Sequence, residues 1–436
     1  MTKRFQIRAS VTAKATEVLR FEGAEMATVE ALQCKECGTS YALEARYVCE
    51  QCFGPLEVIY DLSGLDPAET RRRIQAGPQS IWRYSDFLPF ARRPRTALAA
   101  GVTPLVRADR LAERLGLGEV WVKNDAANPT HSFKDRVVTV ALAKARELGY
   151  EVVACASTGN LANAVAAHAA AAGLESYVFV PADLEEQKIL ATGVYGTKLV
   201  TVKGTYDDVN RLCTELSGER DWAFVNVNMR PYYSEGSKTL GYEVVEQLGF
   251  ELPDRVVVPI ASGSLFTKIA RGFEEWRDVG LVEGELPAFN GAQAEGCSPV
   301  AKAYARGEDT CRPVRPDTVA KSLAIGNPAD GPYAVELARR SGGGVDCVTD
   351  DEVRAGIRLL AETTGIFTET AGGVTTAVLA KLAERGDIGP DERVVLMITG
   401  DGLKTLDAVR GSFETHEIEP SAAAFGEALG LDAVAQ

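Results

Sequence analysis

The chain has 436 residues, 46% hydrophobic and 25% charged, the proportions of an ordinary globular protein. At about one domain per 150 residues, that length allows two or three domains. Lysine and arginine total 47 against 61 aspartates and glutamates, a formal charge of −14. Such a balance argues against a nucleic-acid binder or a protein held to anionic membranes.

Met1 to Ser10 is polar and offers no apolar stretch for a signal peptide. No apolar run approaches the roughly 20 residues of a membrane span, and the expected location is a reducing cytoplasm. Residues 1–33 carry few signals. Four of the nine cysteines then crowd into two CxxC pairs, Cys34/Cys37 and Cys49/Cys52, with eleven residues between the pairs. Four thiolates at this spacing can surround one ion tetrahedrally, zinc or iron, with Gly38 allowing the turn after the first pair. No histidine or carboxylate there suggests an open position, so the expected site is structural. The competing readings are redox pairs, plain buried cysteines or a nucleic-acid-binding ribbon.

After a connecting stretch, the chain from about Val102 alternates short apolar strands with amphipathic helices. Strands are predicted at Val120–Val122, Glu151–Ala154, Ser176–Val180, Lys198–Val202, Trp222–Asn226, Arg255–Pro259 and Val394–Ile398. Helices are predicted at Phe133–Leu148, Leu161–Ala172, Tyr206–Leu216 and Glu235–Leu248. This alternation predicts an α/β fold with mainly parallel twisted sheets. Chemistry in such folds gathers in loops at the carboxyl ends of strands.

Four of those loops have suitable residues. The first, Lys123 to Arg136, places Lys134 in the first turn of a helix. A buried amine beside the positive end of a helix dipole is the kind of nucleophile that Schiff-base chemistry needs, though a helix-start lysine is commonly just surface charge. Ala156-Ser-Thr-Gly-Asn160 can hold a carboxylate, or simply cap a helix. Ile260-Ala-Ser-Gly-Ser264-Leu can close backbone N–H groups around a phosphate. Thr399 ends the last strand, where a hydroxyl could meet a ring nitrogen. Three histidines make a histidine-based triad improbable. His168 falls mid-helix and His416 in the tail.

The order of these loops resembles that of pyridoxal-phosphate enzymes of fold type II, and within them of threonine synthases. The resemblance covers about residues 80–410. It rests on Gly101-Val-Thr-Pro-Leu105, Asn128-Pro-Thr-His-Ser-Phe-Lys-Asp-Arg136, Ser157-Thr-Gly-Asn160, Glu235-Gly-Ser-Lys238-Thr, Ile325-Gly-Asn-Pro328 and Thr399-Gly-Asp-Gly402-Leu-Lys404. It implies a zinc-ribbon-like knuckle within residues 1–85 and a large cofactor-binding lobe from 86–119 and 241–415. A small substrate-closing lobe would span 120–240, with a peripheral tail at 416–436.

It further implies that Lys134 carries pyridoxal 5′-phosphate as an imine, with Phe133 packed by the ring and Asn160 bonding its 3′-oxygen. Ala261, Ser262, Gly263, Ser264 and Leu265 would cradle the cofactor phosphate, and Thr399 would face the pyridine nitrogen. Ser157, Thr158 and Gly159 would take the substrate carboxylate. Lys238 and Arg230, with Ser237 and Asn228, are the candidates for the leaving phosphate.

The implied reaction turns O-phospho-L-homoserine and water into L-threonine and phosphate, with the freed Lys134 moving the protons. The implied assembly is a homodimer. The chain departs from the family's pattern at His131, at Asp401 and in having one glycine, Gly263, in the phosphate loop. The alternatives are β-replacement on O-phosphoserine, as in cysteate or cysteine synthases, and a non-catalytic metal-clipped binding module.

Overall fold

A computed structural model describes residues 28–157, 159–182, 184, 186–204 and 206–431. The remaining positions, including Thr158, lie outside the described residues. Three sheets organise the described residues. A three-stranded antiparallel ribbon has the order Ser40–Tyr41, Thr28–Cys34, Leu56–Asp61. A six-stranded sheet has the order Gly344–Val348, Ala288–Ala294, Arg255–Pro259, Arg393–Ile398, Glu119–Asn124, Leu105–Arg107. Only its last strand runs antiparallel to its neighbour. A four-stranded parallel sheet has the order Lys198–Val202, Glu175–Pro181, Val152–Ala156, Ala223–Phe224.

The period-2 geometry of the large sheet explains its apolar runs. Val256, Val258, Val395 and Met397 face one core with Phe266, Trp276 and Phe289. Val257, Val394, Leu396 and Ile398 face another with Val374 and Leu379. Strands covered on both faces need no polar alternation, which is why they read as continuous apolar segments. A third core joins ribbon residues Leu32, Cys34, Leu56 and Val58 to Val137, Val138, Val153 and Val165 beneath the four-stranded sheet. The ribbon is therefore packed onto the body of the protein. Among the described residues no helix is long and apolar enough to cross a membrane.

Three sequence expectations need correction. The segment Trp222–Asn226 forms a strand only at Ala223–Phe224. Glu119–Asn124 pairs with Arg393–Ile398, so a small-lobe boundary at 120 falls on a strand of the large sheet. The predicted helix Glu235–Leu248 is observed as Lys238–Gln247, starting three residues later, and a short helix, Arg230–Glu235, precedes it across Gly236 and Ser237. The chain packs closely at this junction: a Cβ on Gly236 would lie 2.5 Å from the carbonyl oxygen of Arg136 and 2.6 Å from Val137 Cα.

Candidate active site at the strand ends

Helix Lys134–Glu147 begins where the lysine loop is laced to the end of strand Arg393–Ile398. Phe133 N donates to the Thr399 carbonyl at 2.9 Å, and Asp401 N donates to that of His131 at 3.1 Å. Asp135 ties the loop down from within. Its Oδ2 accepts from Thr130 N and Oγ1, both at 2.9 Å, and its Oδ1 lies 2.7 Å from His168 Nε2. His168 thus has a structural partner on helix Asn160–Ala172.

Lys134 is half-buried, its Nζ donating to the Tyr233 hydroxyl at 2.8 Å and lying 4.3 Å from the centre of the Phe133 ring. Tyr233 comes from helix Arg230–Glu235, and nothing in its local sequence announces that contact. Asn160 opens its helix with its Nδ2 3.1 and 3.0 Å from the two Glu369 oxygens and its Oδ1 accepting from Lys404 Nζ at 2.8 Å. Glu369 caps the start of helix Thr370–Arg385 and is almost fully buried. Burial pushes its carboxyl above the ordinary range, against the opposing pull of the Asn160 bonds and the charges of Lys404 and Lys134. Burial likewise lowers the Lys404 amine, opposed by Glu369, Asp135 and Asp401.

The small-residue loop leads into helix Ser264–Asp278 with Gly263 at φ +97°, where a Cβ would stand 2.7 Å from the Asp330 carbonyl oxygen. Only glycine suits both that backbone and that spacing. Ala261, Ser262 and Ser264 are half-buried, while Leu265 is buried in the core. Asp330 N donates to the Ser262 carbonyl at 2.8 Å, and the Asp330 carboxylate takes Arg230 at 2.8 Å. Arg230 therefore lies beside this loop. Ser157 is buried, its Oγ accepting from Gly159 N at 3.3 Å and Ala162 N at 3.2 Å. Thr399 is buried at the strand end.

Other expected residues stand elsewhere. Lys238 is wholly buried, 2.6 Å from Glu235 and 3.0 Å from Glu275, under the ring of Tyr60. Its charge is matched by carboxylates outside the cluster, which corrects its expected place at a substrate phosphate. Ser237 is buried at the helix break. Asn228 spends both ends of its amide on Phe224 N and the Trp222 carbonyl. Asp401 caps the turn Gly402–Val409 through Leu403 N at 2.8 Å. His131 adopts φ +61°, a left-handed backbone that favours glycine.

Behind Lys134 lies a second charged cluster. Arg136, wholly buried, meets Asp125 at 2.7 and 2.8 Å and Glu243 at 2.8 and 2.9 Å. Lys123 Nζ reaches Glu243 at 2.5 Å. Burial alone would raise the Glu243 carboxyl, but Arg136 and Lys123 hold it well below the usual carboxylate range.

In the ribbon, the sulfurs of Cys34, Cys37, Cys49 and Cys52 all lie within 4.8 Å of one another. Cys34 and Cys52 are 3.4 Å apart, and Cys37 and Cys49 are 3.6 Å apart. A tetrahedron with metal–sulfur bonds of about 2.3 Å has edges of about 3.8 Å, so the four thiols fit one metal ion.

The residues also fit a phosphate-bearing aldehyde cofactor. They offer a reachable amine beside an aromatic ring, a glycine-containing loop at a helix start, and hydroxyls in want of partners. Among the described residues, Ser132 Oγ, next to Phe133, and Thr370 Oγ1, next to Glu369, are buried without a hydrogen bond.

Residues 96–400 match the family model described as "Pyridoxal-phosphate dependent enzyme". The chain is 39% identical to the threonine synthase of Methanocaldococcus jannaschii over 392 residues, covering 89% of this chain and 96% of that protein. It is 40% identical to that of Methanosarcina acetivorans over 381 residues, covering 87% and 93%. In fold it is similar to processed threonine deaminase isoform 2 of Solanum lycopersicum (TM-score 0.60, 20% identity, 89% and 98% covered). It is also similar to maize serine racemase (TM-score 0.58, 18% identity, 77% and 94% covered).

Proposed function

Since the chain belongs to the threonine synthase family of pyridoxal-phosphate-dependent enzymes, we propose that it converts O-phospho-L-homoserine and water into L-threonine and phosphate. The observation that supports this reading is that Lys134, bonded to Tyr233, starts a helix whose loop is tied to strand-end Thr399 and, through Lys404, to Asn160, within the segment that matches the family.

The likeness to that family gives each residue a role. Lys134 would hold the cofactor, and its free Nζ would take the proton from the substrate's Cα and return protons to the product. Tyr233, bonded to that nitrogen, aims it. When bound, pyridoxal phosphate supplies an electron sink for the charge left on the substrate carbons. Phe133 would pack by its ring, Asn160 would donate to its 3′-oxygen, and Thr399 would face its nitrogen. The loop from Ala261 to Leu265 would hold its phosphate with backbone donors at a helix start. Ser157 and Gly159, with Thr158, take the substrate carboxylate. Arg230, paired with Asp330 beside that loop, is our candidate for the departing phosphate.

The same proposal includes a structural zinc on Cys34, Cys37, Cys49 and Cys52, two lobes built on the six- and four-stranded sheets, a cytoplasmic location and a homodimer. Reconstitution with pyridoxal phosphate should give a visible absorption band. Phosphate and threonine should then form from phosphohomoserine. Product from O-phosphoserine alone would favour β-replacement, and a protein that stays colourless would favour a binding module.

A further inference from the structure

Asn160 has both ends of its amide engaged, and its two partners demand the same orientation. Lys404 offers only donors, so the oxygen must face it, at 2.8 Å. An ionised Glu369 offers only acceptors, so the nitrogen must face it, at 3.0 and 3.1 Å. Lys404 is itself fixed, because its second bond runs to the Thr130 carbonyl in the lysine loop at 2.6 Å. One ammonium thus clamps the lysine loop and the start of the Asn160 helix to the turn that follows strand Arg393–Ile398.

We propose that Lys404 is a positioning residue that sets the polarity of the Asn160 amide, so that the cofactor's 3′-oxygen meets an N–H donor and not a carbonyl oxygen. The inference rests on the assignment of Asn160 to the cofactor made above. A donor stabilises that oxygen as an anion, which lets the neighbouring imine lose its proton at lower pH. With Lys404 gone, only Glu369 still holds the amide, and burial pushes that carboxyl toward its protonated form, which can donate; the amide can then turn and present Oδ1, and the anionic form loses its donor. The charged groups facing this point, Lys134, Asp135, Glu369 and Asp401, stay in place.

The test titrates the visible band of the full-length protein reconstituted with pyridoxal phosphate. In Lys404→Met the midpoint should rise by about one pH unit, a tenfold change in proton affinity. Lys404→Gln, uncharged but still a donor, should shift by less than half as much. Equal shifts in the two variants would mean that lost charge, not amide orientation, is responsible, and would overturn the proposal. So would an unmoved midpoint in Lys404→Met. If that variant does not fold, Lys404→Leu takes its place in the same comparison. A wild-type protein with no visible band would sink the cofactor assignment itself, whereas a wild-type band that titrates normally while the variants match it sinks only the role of Lys404.

Discussion

Lys134 and Arg136 stand two residues apart at the start of one helix, yet they enter opposite kinds of surroundings. Arg136 is sealed in, with every close charge matched by an opposite one and the Glu243 carboxyl held low. Lys134 is half-exposed and meets a neutral hydroxyl, while the nearby Glu369 carboxyl is pushed up by burial. The first cluster spends its charges on each other and so braces the loop at Gly101–Thr103 and helix Lys238–Gln247. The second leaves charge incompletely matched, which is the condition for groups that must change protonation or meet a ligand. Chemistry here is set by which side of a single helical turn a residue occupies.

The contrast can be broken by substitution, most severely at the amine. Lys134→Ala should remove the visible band and lower turnover by at least about 10³-fold while urea unfolding stays near wild type. Next in size, Glu243→Gln should cost about 3–5 kcal/mol in urea unfolding, since it leaves Arg136 and Lys123 with an uncompensated buried charge. Glu369→Gln, by contrast, should leave stability unchanged or slightly higher at pH 7, because it removes a carboxylate whose ionisation burial opposes. A loss there as large as that of Glu243→Gln would erase the distinction between the clusters.

Acid sharpens the same point. Glu243 has a folded-state pKa below its unfolded value, so its contribution is present above about pH 4.3 and is lost as pH falls through the folded value. Glu369 has the opposite sign: its ionisation costs stability as pH rises from the unfolded value through the folded one. Subtracting the unfolding curve of each Gln variant from wild type between pH 3 and 7 should give slopes of opposite sign. The smallest effect is expected at His131, where His131→Gly relieves a left-handed backbone and should change stability by no more than about 1 kcal/mol.

What could be read from the sequence was what is local in it. Lys134, Asn160, Gly263 and Thr399 each sit where a short apolar strand gives way to a helix, and that juncture is visible within ten residues. Their partners are not local. Tyr233 lies 99 residues from Lys134, and Glu369 lies 209 from Asn160. Thr-Glu-Thr-Ala-Gly-Gly around Glu369 looks like any helix start. Lys238 misled for the matching reason: one of the carboxylates that claim it, Glu275, is 37 residues away on another helix. The need for glycine at 236 is equally hidden, because the atoms that exclude a side chain there belong to Arg136 and Val137.

The ribbon reaches further than its size suggests. Tyr60 bonds Glu235 at 2.7 Å, Tyr232 bonds the Glu44 carbonyl at 3.0 Å, and Glu57 pairs with Lys268 at 3.1 Å. Glu235 and Tyr232 belong to the short helix that also carries Arg230 and Tyr233. During synthesis the four thiols leave the ribosome about 180 residues or more before the helix that the ribbon braces, and a metal on them would give the ribbon a fold of its own in that interval. The last support of the reacting lysine is thus the first piece of the described chain to be made.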